Sequence, residues 1–256
     1  MTAERLDPRQ VEAFRHARDE VLGHIAGAAA RAGRDPACVT LVAVSKTVPA
    51  DRVRAAVAAG LTTLGENRVQ EGAAKIPEVA GATWHLIGPL QSNKARRAIE
   101  LFDVIESVHT ADLATRLDGI VASLPGRGPL PVLLQVNVDV DPAKAGFLPV
   151  ELEAAIDGLD ALASLDYRGL MTIGRFTDDP DEARPTFVAL RAVGERLRAR
   201  WPRLGPELSM GMSDDYATAI EEGATIVRVG RALFGERRAA AAGDRPVPED
   251  RFREPR

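Results

Sequence analysis

Between residues 40 and 230, eight short apolar runs alternate with stretches of helical periodicity. The strand-like runs fall at 40–45, 61–66, 83–88, 104–108, 131–138, 167–173, 207–212 and 225–230. Helical patterns lie between them, near 50–59, 68–76, 93–100, 111–122, 149–163, 181–200 and 214–222. Most of the runs are continuously apolar, as strands covered on both faces read, so the pattern predicts a parallel sheet wrapped by helices. Eight such units predict a closed (β/α)8 TIM barrel, and 256 residues is the size that fold takes. A doubly wound open sheet is the alternative, but no Gly-x-Gly-x-x-Gly fingerprint follows any strand.

Residues 1–39 read as an N-terminal helical extension. Val11, Phe14, Val21, Leu22, Ile25 and Ala29 fall near one helical face that stops at Gly33. Residues 40–237 show no composition shift that would mark a second domain. Residues 238–256 are rich in Ala, Pro and charge and are expected to form a flexible tail. A net charge of -4 gives no general attraction to nucleic acid or to an anionic membrane. The single cysteine, Cys38, excludes an intrachain disulfide and a Cys-rich zinc site, and is expected to be a reduced, partly buried thiol. The charged N-terminus lacks the apolar core of a signal peptide, and no apolar stretch approaches the roughly 18 residues of a membrane span, so a cytoplasmic protein is expected.

Barrel active sites lie at the C-terminal strand ends. Those ends collect Lys46, Glu66 and Asn67, His85 with Gly88, Asn137, Met171, Ser213, Arg228 and Gly230. Lys46 follows the run Leu41-Val42-Ala43-Val44, and alternation sets it on the face of Val42 and Val44. Taken alone, it could be a snorkelling lysine or an ion-pair partner. Gly211-Met212-Ser213-Asp214 reads as a helix N-cap that could also offer a hydroxyl or N–H to a phosphate. Gly230 opens a short segment after the last strand, and the loops after strands 7 and 8 commonly build a barrel's phosphate site. A lysine desolvated by the barrel and near Arg228 would have its amine form favoured. Together these residues point to a phosphorylated aldehyde held as a lysine Schiff base, with pyridoxal phosphate the foremost candidate. Arg228 could instead form a salt bridge with Glu66. His16, His24, His85 and His109 show no metal spacing, and Asp139-Val140-Asp141 reads as a solvated turn.

The stretches Val42-Ala43-Val44-Ser45-Lys46-Thr47, Gly65-Glu66-Asn67-Arg68-Val69-Gln70-Glu71 and Trp84 through Lys94 carry a resemblance. So do Gln135-Val136-Asn137, Lys144-Ala145-Gly146, Arg168 to Met171, Ser209 to Asp215, and Val227 to Gly235. In this order they resemble the pyridoxal phosphate homeostasis proteins. The resemblance implies a barrel like the alanine racemase N-terminal domain, with pyridoxal 5'-phosphate joined to Lys46. It implies Ser213 and the backbone after Gly230 as phosphate ligands, Arg228 as partner of the pyridine nitrogen, and Asn67, His85, Asn137 and Met171 as the surrounding shell. One position departs from the family: Arg231 stands where Thr is usual, keeping the N–H and adding a guanidinium that could pair with the phosphate. The implied role is monomeric buffering of the cofactor and its delivery to apo-enzymes that depend on it, without turnover. The rivals are a single-domain amino-acid racemase and a class I aldolase-type barrel using Lys46. A racemase needs a second acid/base, and neither Tyr167 nor Tyr216 is well placed to serve.

Overall fold

The computed structural model describes residues 6–175, 177 and 179–235. Eight parallel strands close into a barrel in sequence order: β1 (Thr40–Val44), β2 (Thr63–Glu66), β3 (Thr83–Leu86), β4 (Val104–Val108), β5 (Leu130–Gln135), β6 (Leu165–Met171), β7 (Glu207–Ser209) and β8 (Ile226–Val229). The last strand pairs with the first, Val42 opposite Arg228 and Ala43 opposite Val229. Outside lie α1 (Pro8–Arg31), α2 (Ala50–Ala58), α3 (Val69–Lys75), α4 (Ala95–Leu101), α5 (Ala111–Ala122), α6 (Pro149–Asp160), α7 (Pro180–Arg200), α8 (Tyr216–Glu221) and α9 (Arg231–Phe234). This is the expected TIM barrel.

Two strands, β5 and β7, end three residues before their apolar runs do, each for a local reason. After Gln135 the chain turns back on itself, Val136 bridging to Phe147 and the Asn137 N–H bonding the Phe147 carbonyl at 2.9 Å. After Ser209, Gly211 adopts a φ of 92° and bends the chain towards α8. An added Cβ there would lie 2.6 Å from the Ala219 Cβ and 2.9 Å from the Tyr216 Cα, so only glycine lets α8 sit this close.

Period-2 alternation divides the strand side chains between two compartments. The outward set, including Ala43, Leu64, Trp84, Leu86, Ile105, Val132, Leu134, Leu170 and Val227, packs under the helices as the main core. The inward set is small and mixed. Val42, Leu133, Met171 and Ile226 form an apolar cluster in the lumen, and the space beside it is polar.

The N-terminal extension is one long helix. Asp7 caps α1 by accepting the Arg9 N–H, and Pro8 occupies its first turn. Its buried face is Phe14, Val21, Ile25, Ala28 and Ala29. Leu22, expected on that face, is 41% exposed, because one residue of helix rotates it about 100° from Val21. The helix covers the outside of the β1–β8 seam: Phe14 stacks edge-on against Phe234 with centroids 5.5 Å apart, and Arg31 pairs with Glu221 at 2.8 Å. Cys38, expected partly buried, is exposed in the turn between α1 and β1. Residues 238–256, read as a tail, lie outside the described residues. Among the described residues no helix is long and apolar enough to cross a membrane.

Candidate functional site

The pairing of β1 with β8 gathers several of the expected residues at one sector of the barrel mouth. Lys46 is half-buried in the turn directly after β1. Gly230 follows β8 and abuts Val44, whose carbonyl oxygen would lie 3.4 Å from a Cβ placed there. The Gly230 N–H donates to the Ser213 hydroxyl at 3.2 Å, drawing the β7 and β8 loops together. Ser213 does not cap α8. That helix begins at Tyr216, and Ser213 lies in the preceding turn, which closes when the Asp215 carboxylate accepts the Met212 N–H at 2.6 Å. The hydroxyl is therefore committed to Gly230, between β8 and α9, not to the start of α8. Arg231 opens α9 and forms an ion pair with Asp214, both half-exposed at the rim.

Below this sector a charged network crosses the lumen. Arg228, 4% exposed, donates from Nη1 to the Ser209 hydroxyl at 2.5 Å and from Nη2 to the Thr172 carbonyl at 2.7 Å. Ser209 donates in turn to Glu106 Oε2 at 2.5 Å, and the other Glu106 oxygen accepts from His85 Nδ1 at 2.6 Å. Burial pushes the Glu106 carboxyl up, but the His85 hydrogen bond, the His85 and Arg228 charges and the Ser209 bond outweigh it and hold the group below its ordinary value. Burial lowers Arg228, against the opposing pull of Glu106 and Asp215. The proposed salt bridge between Arg228 and Glu66 does not exist. Glu66 points outward from β2 and pairs with Lys75 of α3 at 2.7 Å, because adjacent residues of a strand face opposite ways and Gly65 takes the inward position.

His85 is likewise not at a strand end. It sits within β3, below the mouth, and lines a cavity of about 200 Å³ with Thr40, Thr63 and Thr83 from the first residues of β1, β2 and β3. Met171 is fully buried in the apolar lumen cluster beneath the site. Asn67 follows β2 at the mouth, half-buried, with Gly88 packed so closely on it that an added Cβ would overlap the Asn67 carbonyl. The Asn137 amide is occupied in closing its own loop, donating to the Asp141 carbonyl at 2.8 Å and accepting the Asp141 N–H at 3.1 Å. Asp139, expected in a solvated turn, is mostly buried and joins Lys144, Arg175 and Thr186 at 3.3, 3.0 and 2.8 Å. Tyr167 donates to the Leu159 carbonyl at 2.8 Å, and the Tyr216 hydroxyl bonds His24 of α1 at 3.1 Å.

Sequence reasoning missed Glu106, and it left Ser209 without a role. A carboxylate inside the apolar run Val104-Ile105-Glu106-Ser107-Val108 was a signal, since a charge within a buried strand requires a partner. Thr172 acts through its carbonyl and left no trace in residue type.

The barrel that carries the lysine turn, the hydroxyl–amide pair and the lumen arginine is of the alanine racemase N-terminal type. The family described as "Alanine racemase, N-terminal domain" matches residues 22–238. A pyridoxal phosphate homeostasis protein of Pseudomonas aeruginosa is 46% identical over 222 residues, covering 85% of this chain and 93% of that one. Its namesake from Escherichia coli K12 is 42% identical over 228 residues, covering 85% and 94%. Among solved structures, PipY of Synechococcus elongatus with PLP bound superposes with a TM-score of 0.72 at 44% identity, covering 82% of this chain and all of that one. The chain belongs to the family of pyridoxal phosphate homeostasis proteins.

Proposed function

We propose that this protein binds pyridoxal 5'-phosphate at the barrel mouth, tethers it through Lys46, and buffers or delivers it without turning over a substrate. The observation that carries the reading is the β1–β8 pairing, which sets the Lys46 turn beside the Ser213–Gly230 pair and over Arg228. The donor set suits this cofactor: an amine for the aldehyde, a hydroxyl and a backbone N–H for the phosphate, and a guanidinium for the ring nitrogen. PipY, with PLP bound at 44% identity, supports the same reading. Bound pyridoxal phosphate supplies an aldehyde carbon to which the Lys46 nitrogen bonds while the aldehyde oxygen leaves as water.

The Ser213 hydroxyl and the backbone N–H after Gly230 would hold the phosphate, and the Arg231 guanidinium would exchange Asp214 for it. Arg228 would serve the pyridine nitrogen and keep it unprotonated, because a cation with no acceptor lone pair cannot share a proton with it. Asn67 would flank the cofactor at the mouth, while His85 and Met171 would act from the lumen below. Asn137 acts by shaping the loop after β5.

The same features argue against turnover. A ring nitrogen facing arginine leaves the ring a weak electron sink, and both tyrosine hydroxyls are engaged away from the mouth. The relatives are named for homeostasis, which agrees with a carrier role. In this reading the partners are apo-enzymes that use the cofactor, served by a monomeric carrier in the cytoplasm. The test is visible absorbance of purified protein with added pyridoxal phosphate, followed by borohydride reduction and peptide mapping. A pyridoxyl group on Lys46 is expected. A colourless protein, or the label on another lysine, would overturn the reading.

A further inference from the structure

Behind the Lys46 turn, in the layer between barrel and helices, lies a second charged cluster that the site described above does not use. Glu66 is fully buried and Lys75 is 8% exposed. Lys75 Nζ donates to Glu66 Oε1 and to the Ser45 carbonyl, each at 2.7 Å. The Ser45 hydroxyl donates to the same Glu66 oxygen at 2.7 Å. Glu71, one helical turn before Lys75 and 3.8 Å from it, accepts the Thr47 N–H at 3.0 Å. Both neighbours of Lys46 are thus held by this cluster: Ser45 by its hydroxyl and carbonyl, Thr47 by its amide.

A buried ion pair seldom repays its desolvation, and here Glu66 Oε2 has no hydrogen-bond partner at all. The cluster is therefore an expensive way to stabilise a helix against a strand. Its bonds converge instead on one turn, and that turn is strained. The Val48 N–H bonds the Ser45 carbonyl at 3.0 Å, closing a four-residue turn in which Thr47 has a φ of 64°. A β-branched residue in the left-handed region is a backbone outlier that persists only when its surroundings fix it, and glycine is the usual occupant.

We propose that Lys75, Glu66 and Glu71 are positioning residues that hold the Ser45–Thr47 turn in its strained form and so aim Lys46 at the aldehyde. This rests on the reading of Lys46 as the tether. Without the cluster the turn relaxes and the amine starts from a displaced position, and displacements near 1 Å can cost about 100-fold in rate.

The test uses the full chain as Lys75→Met, Glu71→Ala and Glu71→Gln variants. Amide hydrogen exchange at Thr47 is measured in the cofactor-free protein. The rate of forming a borohydride-trappable adduct on Lys46 is measured with saturating pyridoxal 5'-phosphate. The affinity for pyridoxine 5'-phosphate, which has no aldehyde, reports the phosphate and ring contacts alone. Lys75→Met and Glu71→Ala are expected to speed Thr47 exchange at least about 10-fold and slow adduct formation about 10- to 100-fold. Pyridoxine 5'-phosphate affinity should stay within about threefold, and Glu71→Gln, which keeps an acceptor for Thr47, should restore most of the rate. Should Lys75→Met not fold, the partly exposed Glu71 pair still decides the matter. An unchanged adduct rate in folded Glu71→Ala overturns the proposal. Trapping that survives in Lys46→Ala would instead remove the tether reading beneath it, an outcome kept separate because Thr47 exchange is read without cofactor.

Discussion

Arg228 sits in a barrel interior where a lone guanidinium would lose several kcal/mol of hydration. Glu106, relayed through Ser209, is what makes that position tolerable, and the arrangement has a pH signature. The folded Glu106 carboxyl lies below its ordinary value of 4.5, so between those two values the unfolded chain binds the extra proton. Its contribution to stability is complete above pH 4.5 and is lost as pH falls through the folded value. In the cofactor-free protein, Glu106→Gln should lower the melting temperature near neutral pH and flatten its decline below about pH 4.5. Melting curves across pH 3 to 7 check this, and parallel curves for the two proteins would refute it. At the mouth, Lys46→Ala should abolish the visible absorbance of the loaded protein while leaving weak retention through the phosphate contacts. Ser213→Ala should weaken cofactor retention by roughly 1.5–3 kcal/mol, about 10- to 150-fold. Because Ser213 caps no helix, the same change should cost only about 0.5–1.5 kcal/mol of stability, the worth of its bond to Gly230. Titration and thermal melts on one variant separate the two effects.

Short helices and turns, not the long helices, shape the site. α8 and α9 are six and four residues long, too short to be stable alone, and they are fixed by what they touch. α8 is set by contact with Gly211, by the Tyr216–His24 bond to α1, and by the ion pair from Arg31 to Glu221. Gly211→Ala would place a Cβ in the path of α8 at a left-handed backbone position. It should destabilise the protein by more than about 1 kcal/mol and weaken cofactor retention, since the turn carrying Ser213 must move with the helix. Equilibrium denaturation together with cofactor titration would show both, and a loss of stability with unchanged retention would uncouple the turn from the site. α1 contributes at the same scale by sealing the β1–β8 seam from outside, with Phe14 stacked against the end of α9.

At the scale of the whole molecule, the described residues place an apolar cluster on one side of the lumen and a charge network on the other. The groups that face the mouth can bind and orient, but no tyrosine stands ready to move a proton on the far face of a bound amino acid. The loaded protein should therefore exchange the α-proton of added amino acids slowly or not at all. Incubation in deuterated buffer with a panel of amino acids measures this. Fast, stereochemically defined exchange that disappears in Lys46→Ala would restore the racemase reading.

The barrel was determined by sequence: a strand covered on both faces must be continuously apolar, and eight such runs separated by helical periods leave little else for the chain to become. The places of Lys46, Gly230 and Ser213 at the barrel mouth were legible for a related reason, as polar or small residues where an apolar run stops. What tertiary structure alone decided is which charge meets which. A one-residue change of facing sends Glu66 out to Lys75 and Glu106 in to His85 and Ser209, and no local pattern distinguishes the two carboxylates. The roles of Ser213 and the Thr172 carbonyl depend on loops closing across strands distant in sequence. Hydrogen bonds of that kind act over about 3 Å, whereas periodicity reports only on a residue's own element.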